Sequence, residues 1–585
     1  MKKLRIVLSI ILVLLLIGYQ YLMIDFPQTP KTAYVNANII TIDENQPNAE
    51  AMIVENGIIQ AIGTTADIQS QISNETNTID LKGAVVMPGF IDPHTHPALT
   101  AYLASMIDLS GFKHDSNAEV WAYLSEIVKK TPPNQWIICK GIDPILVSDL
   151  QNPTLAFLDS IAPNNPIVLF AQSLHSYWGN SLTFEKVGIN TETPNPNKHS
   201  YYEKDSLGNL TGLIVEQQAI EPILQAINKD VFHAKVITKA VEDAMKDYAL
   251  KGNTTVVSAG LTINDANALL LFEHLSKQNP SLFTQALTVA NILPKRSQMP
   301  RHFVYIRHDR TELMPETNSD EDDFYDILGV KHWYDGSPYI GSMYLNQPYL
   351  PSPLAQILRI PNGHQGKALV KHQQLKEFIK TNHDKGWQIA IHAQGDAALN
   401  EVLDAYKVIQ QSQDLTNKRH RLEHCLLLSE QNIKDMKVLN MTPSFHINHL
   451  YYYGDALQQS LIGQDRTQKI LPIGSAKREK VTFSLHADQP MFDSHPFRLI
   501  QTAIERTSKN GQNIGKGQEI TLMDAIKALT IDAAWQIQKE DKIGSLTKGK
   551  YADFIILDSN PFETPTDELE NIKVLKTYIN GNLVQ

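Results

Sequence analysis

The stretch Val85-Val-Met-Pro-Gly-Phe-Ile-Asp-Pro-His-Thr-His-Pro97 decides how the chain folds. Val85–Ile91 is an apolar run of the length of one buried strand. Two histidines, His94 and His96, stand just beyond it. In an extended chain residues i and i+2 share a face, so both imidazoles can reach one cation from one strand end. Seven similar runs follow: Thr254–Gly260, Thr284–Ala290, Ile327–Trp333, Gln388–Ala393, Arg421–Cys425, Thr442–His446 and Thr482–Asp488. Helical stretches separate them, which predicts βα units and a parallel sheet. Eight such units predict an α/β fold, a (β/α)8 TIM-type barrel, with its site at the C-terminal strand ends.

Working outward, a large insertion after strand one covers 104–235, with strand candidates in WIICKG and IVLFAQ. Both ends of the chain are β-rich. Thr32–Gly63 carries an Asn56-Gly57 hairpin signal, and Val574–Gln585 carries another at Asn580-Gly581. A small β-sandwich built from 32–84 and 540–585 is expected, with the barrel over 85–539. At the N-terminus Lys2, Lys3 and Arg5 precede an apolar stretch from Ile6 to about Ile24, close to the ~20 residues that span a bilayer. No small-residue cleavage site follows it. A signal-anchor, a transmembrane helix within 1–25 that attaches the protein to the membrane, is therefore expected. The basic flank should stay cytoplasmic, which places the catalytic part on the extracytoplasmic, periplasmic side.

Composition narrows the function. Of 585 residues 42% are hydrophobic, so the chain folds. It carries 52 basic and 63 acidic residues, a net charge of −11. That argues against nucleic acid as a partner, because phosphate binding needs a basic surface. Two cysteines, Cys139 and Cys425, exclude a disulfide framework and a cysteine-rich zinc module. Neither a Gly-x-Ser-x-Gly elbow nor a His-Glu-x-x-His helix occurs.

What remains is imidazole chemistry at strand ends. His392 closes the fifth run, His424 the sixth, Asp488 the eighth, and Lys331 lies in the fourth. Several such residues on one rim, with a carboxylate and no thiolate, suit a catalytic divalent metal centre of the zinc type with open coordination positions.

The motifs PGFIDPHTH, Asp335-Gly336-Ser337, IHAQGDAALN, RLEH, SLHADQP, ALTIDAAW and GSLTKGKYADFIILD resemble the amidohydrolase superfamily of metal-dependent hydrolases. Within it the chain is similar to the amidohydrolase-3 group, which includes N-substituted formamide deformylase. The resemblance covers Thr32 to Gln585. It implies that His94 and His96 bind a first metal and His392 and His424 a second. It implies that Lys331, when carboxylated, bridges the two; an ordinary salt-bridged lysine is the alternative. Asp488 would bind the first metal and, as the catalytic residue, take a proton from the attacking water and pass it to the leaving nitrogen. Hydrolysis of a non-peptide C–N, amide-type bond in a small molecule is implied. The alternatives are a mononuclear deaminase or cyclic-amidase of the same superfamily, which one ion rather than two would favour, and a non-catalytic binding protein on the same fold. His175 and Asn180, in QSLHSYWGNS, resemble a family segment that faces the active site. Trp333, Asp335, His446 and His486 are further substrate-contact candidates, with Asp143, Trp178 and His449 beside them. The oligomeric state is open, a homodimer included.

Overall fold

Eight parallel strands form one sheet in strict chain order in the computed structural model, which describes residues 29–261, 265–278, 281–316 and 322–584. They are β1 (Phe90–Thr95), β2 (Asn253–Ala259), β3 (Arg301–Arg307), β4 (Tyr325–Trp333), β5 (Gln388–Ala393), β6 (Arg421–His424), β7 (Thr442–Phe445) and β8 (Ser484–Leu485). Each pairs in parallel with the next, and β8 returns against β1. The sheet is a nearly closed (β/α)8 barrel.

The helix after β5 shows why its sequence takes that form. In Asp396–Gln410 the residues Leu399, Val402, Leu403, Tyr406 and Ile409 recur at helical spacing and are all buried. Burying each large apolar side chain contributes about 1.5–3 kcal/mol. That face packs with Leu375 and Ile379 of the preceding helix, His372–Asp384. Gly395 precedes the helix where the chain passes the Tyr344 carbonyl, and a Cβ there would lie 1.8 Å from that oxygen.

Two smaller sheets come from both chain ends. One pairs Thr32–Val35 with Ala51–Glu55 and Asn77–Asp80. The other runs from Val574–Ile579 through Phe554–Leu557 and Val85–Pro88 to Asn38–Ile40. Tyr34, Met52, Val54, Val86, Phe554 and Tyr578 fill the space between them. This is the expected β-sandwich. Between β1 and β2 the insertion forms its own six-stranded sheet, including Ile137–Ile142 and Ile167–Ala171.

Three expectations need correction. Val85–Ile91 is two strands, because Val85–Pro88 pairs within the sandwich and the barrel begins at Phe90. Gly89 makes the junction; a side chain there would meet Thr254, with Cβ 2.1 Å from its methyl carbon. Thr284–Ala290 is not a barrel strand. Its residues lie in the helix Leu282–Val289, whose Ser281 cap accepts the Thr284 N–H. The third strand is Arg301–Arg307 instead, where buried Arg301 pairs with Asp553 at 2.6 Å. Finally, the membrane-anchored, transmembrane and extracytoplasmic expectation is withdrawn: among the described residues no helix is long and apolar enough to cross a membrane. The stretch 1–25 on which it rested lies outside them.

Candidate metal centre

β1 delivers His94 and His96 to the barrel mouth, and their surroundings fix which nitrogen each presents. His94 Nδ1 lies 2.5 Å from Glu423 Oε2. His96 Nδ1 donates to the Gly260 carbonyl at 3.2 Å. A carbonyl can only accept, so the His96 proton sits on Nδ1, and the Glu423 carboxylate holds the His94 proton likewise. Both Nε2 atoms then face Asp488 Oδ1, at 3.4 Å from His94 and 3.0 Å from His96. Three lone-pair atoms converge, and only a proton or a cation at that point reconciles them.

Other contacts pin the two arms together. His96 N donates to Gln489 O at 2.8 Å, just beyond Asp488. Ser494 Oγ donates to Asp92 Oδ2 at 2.7 Å. Asp488 has φ +57° and His424 φ +71°. A non-glycine residue held there costs on the order of 1–3 kcal/mol, so packing over-determines both positions.

The remaining strand ends complete a buried imidazole cluster. The rings of His424 and His94 lie 4.7 Å apart, and those of His424 and His392 4.5 Å apart. His446 and His449, beyond β7, lie 4.0 Å from each other. Three sets of donor atoms fall within 4.8 Å of one another: His94, His96 and Asp488; His94, His424 and His486; His424, His446 and His449. Lys331 is fully buried on β4, its Nζ 5.6 Å from the Trp333 ring centre and without a hydrogen-bond partner. No carboxylate among the described residues lies within ion-pair distance of it.

The cluster lines a cavity of about 610 Å³. Of the residues expected to meet substrate, Asp143, His175, Trp178, Trp333, Asp335, His446 and His449 line it. Asp335 is spent on positioning. It accepts His392 Nδ1 at 3.1 Å and the N–H groups of Gln394 and Gly395 at 3.0 and 2.9 Å. His486 stands behind the cluster, between Ser444 (2.8 Å) and His424 (3.3 Å). Asn180 is not on the cavity wall. It caps the helix Ser181–Val187, accepting from Thr183 N and Ile167 N and donating to the Ala162 and Asn165 carbonyls.

Sequence reasoning missed Glu423 and Glu216. Glu423 is fully buried, chelated by Arg421 at 2.8 and 3.1 Å, and holds His94. Its position two residues after Arg421 on one strand face was the available signal. Glu216 lines the cavity from the insertion and holds His175 Nδ1 at 3.1 Å. Nothing in the local sequence marked it.

Burial sets the protonation states. It pushes His94, His424, His449 and His486 well below the ordinary imidazole range and His446 to about 4, so these rings keep free lone pairs at neutral pH. Burial opposes ionisation of Asp488, but a positive charge shared with the His96 and His94 imidazoles, at the point where the three atoms meet, outweighs it and holds the carboxyl well below its usual value. Desolvation lowers Lys331 to about 8.

A profile described as the amidohydrolase family matches residues 77–585. The chain belongs to the amidohydrolase family. Membership places it among metal-dependent hydrolases. It is 27% identical over 560 residues to N-substituted formamide deformylase of Arthrobacter pascens, covering 94% of this chain and 97% of that one. It is 25% identical over 561 residues to the protein LONG AFTER FAR-RED 3 of Arabidopsis thaliana, covering 93% and 90%. The crystal structure of a metal-dependent hydrolase from Pyrococcus horikoshii superposes with a TM-score of 0.69 at 21% identity, over 92% of this chain and 99% of that one, which supports the fold.

Proposed function

We propose that this amidohydrolase cleaves a non-peptide C–N bond, of the N-substituted amide or formamide kind, in a small molecule. The observation that carries the reading is the meeting of His94 Nε2, His96 Nε2 and Asp488 Oδ1 at the cavity. These atoms fit a divalent cation of the zinc type: two neutral imidazoles and a carboxylate, without thiolate. Such a cation, when bound, supplies Lewis acidity and lowers the pKa of water toward ~7.

The chain's own residues do the rest. Asp488 has a second oxygen, Oδ2, 4.0 Å from His446 Nδ1. That oxygen takes the proton of the attacking water and returns it to the leaving nitrogen. The cavity size suits a small molecule rather than a folded protein, and Trp178, Trp333 and Phe492 give it apolar walls. Resemblance to a formamide deformylase supports an N-formyl or N-acyl amine as substrate. Lys331, unpaired and shifted toward the neutral amine, has the character that carboxylation by CO₂ requires; native mass spectrometry would show the added mass of one CO₂.

The test is elemental analysis of the purified chain with a hydrolysis screen over N-formyl and N-acyl amines. Amine release that a chelator abolishes is expected. Asp488→Asn should lower turnover by about 10²–10⁴-fold while the fold persists. Undiminished turnover in that variant, or a metal-free active enzyme, overturns the proposal.

A further inference from the structure

We propose that Glu216 is a positioning residue for the hydrolysis: it fixes the His175 ring so that Nε2 accepts the N–H of a singly substituted amide, which makes secondary amides the substrate class. The inference rests on the hydrolase reading and deepens it by naming the kind of amide.

Two residues beside His175 hold backbone shapes that their side chains resist. Glu216 has φ +68° and ψ +162°, a region open almost only to glycine. Leu174 has φ +60°, a left-handed backbone that residues with a Cβ disfavour. The half-exposed pair between His175 and Glu216 offsets little of this cost. A glycine at 216 would turn the chain from the strand Leu210–Val215 into the helix Gln217–Asp230 without strain. What glycine would lack is the carboxylate. Strain that stability does not offset gathers at functional sites, where it fixes a side chain in advance.

The contacts around His175 fix its aim. Its Nδ1 lies 3.1 Å from both Glu216 oxygens, and the Glu216 N–H donates to the His175 carbonyl at 2.9 Å. An ionised carboxylate only accepts, so it keeps the ring proton on Nδ1. In the neutral ring Nε2 then carries a lone pair, and no group among the described residues bonds to it. Both side chains line the cavity that the metal donors line. Gln172 Nε2 donates to the Met491 carbonyl at 2.7 Å, which ties the segment before His175 to the loop that leaves Asp488. The Tyr177 hydroxyl donates to the Leu174 carbonyl. Once water has added, a substrate N–H held by His175 Nε2 leaves the nitrogen's lone pair to receive the proton that Asp488 returns, and the C–N bond breaks. A doubly substituted nitrogen offers no N–H and leaves Nε2 unpaired.

Steady-state kinetics of the full-length, metal-loaded enzyme test this on two amides that differ by one methyl group, N-phenethylformamide and its N-methyl derivative. The phenyl ring suits the aromatic walls of Trp178, Trp333 and Phe492. In the wild type kcat/KM should favour the secondary amide by about 10-fold, the worth of one hydrogen bond. His175→Ala and Glu216→Gly should lower that preference to about twofold or less, chiefly through a higher KM for the secondary amide, with metal content retained. Urea denaturation should show Glu216→Gly as stable as the wild type, which separates this loss from unfolding. His175→Gln, whose side-chain oxygen accepts in place of Nε2, should recover part of the preference. Equal losses for both amides in His175→Ala and Glu216→Gly, with the preference intact, mark a structural role and overturn the proposal. A wild-type enzyme without preference also overturns it; both results leave the hydrolase reading intact. A wild-type chain that releases no amine from either compound or from the wider screen overturns that reading as well.

Discussion

Replacing Glu423 by glutamine separates what the barrel interior does for stability from what it does for the metal donors. Glu423 and Arg421 point the same way from β6, and both are essentially inaccessible to solvent. The guanidinium donates to both carboxylate oxygens, to the Pro93 carbonyl at 2.9 Å and to the Tyr305 hydroxyl at 3.3 Å. Glu423→Gln keeps the shape and removes the charge, leaving a buried arginine uncompensated. Breaking a buried pair in this way costs about 3–5 kcal/mol. It also weakens the acceptor that keeps the His94 proton on Nδ1, and losing such a partner lowers metal affinity about 10–100-fold. Urea denaturation followed by tryptophan fluorescence measures the first effect, and competition with a chelator the second. The double replacement Arg421→Met with Glu423→Leu distinguishes them. It removes the stranded charge, so stability should recover beyond that of Glu423→Gln, whereas metal retention should stay low. A Glu423→Gln protein within about 1 kcal/mol of wild type, with unchanged retention, would refute the reasoning.

Acid should destabilise the fold. Burial lowers His302 and His420 to about 3 in the folded protein, whereas the unfolded chain binds those protons near pH 6.5, so stability is full above 6.5 and is lost as pH falls below it, at about 1.4 kcal/mol per unit for each ring. Asp92, raised by burial to about 7, and Asp143, to about 6, act in the opposite sense but are outnumbered by the lowered imidazoles; a flat denaturation midpoint from pH 7 to pH 5 would contradict this. Gly395→Ala should cost about 1–3 kcal/mol or more through overpacking against the Tyr344 carbonyl, and an unchanged melting temperature would show that the loop yields freely. Glu216 sits at φ +68°, ψ +162°, a conformation that costs a non-glycine residue about 1–3 kcal/mol. Its half-exposed pair with His175 contributes only about 0–1 kcal/mol, so Glu216→Gly should leave stability unchanged or raised, and a loss above about 2 kcal/mol would refute the strain argument.

The barrel and much of its rim were legible in the sequence because both depend on short-range pattern. His94 and His96 are two residues apart, and His392, His424 and Asp488 each end an apolar run, so strand periodicity alone sends them to one rim. β3 was not legible. Its RHFVYIR opens with Arg301 and His302, which look exposed, and burial of Arg301 depends on the distant Asp553 and Tyr551, with the Asp323 carbonyl and the Phe324 ring. Thr284–Ala290 looked like a strand because it is apolar and partly β-branched, while the Ser281 cap that starts its helix lies outside that run. Asn180 drew attention by its place in a motif, yet its amide is consumed by local backbone. The free Nε2 atoms of His446 and His449 are visible only once every neighbour is placed.

The strand that leads into β1 is clamped between Asn38–Ile40 and Phe554–Leu557. During synthesis His94 and His96 therefore emerge early, but the neighbour that steadies their approach arrives only when nearly the whole chain has left the ribosome. A product that stops upstream of Phe554 would carry every donor yet lack one of the two strands that flank the entry to β1.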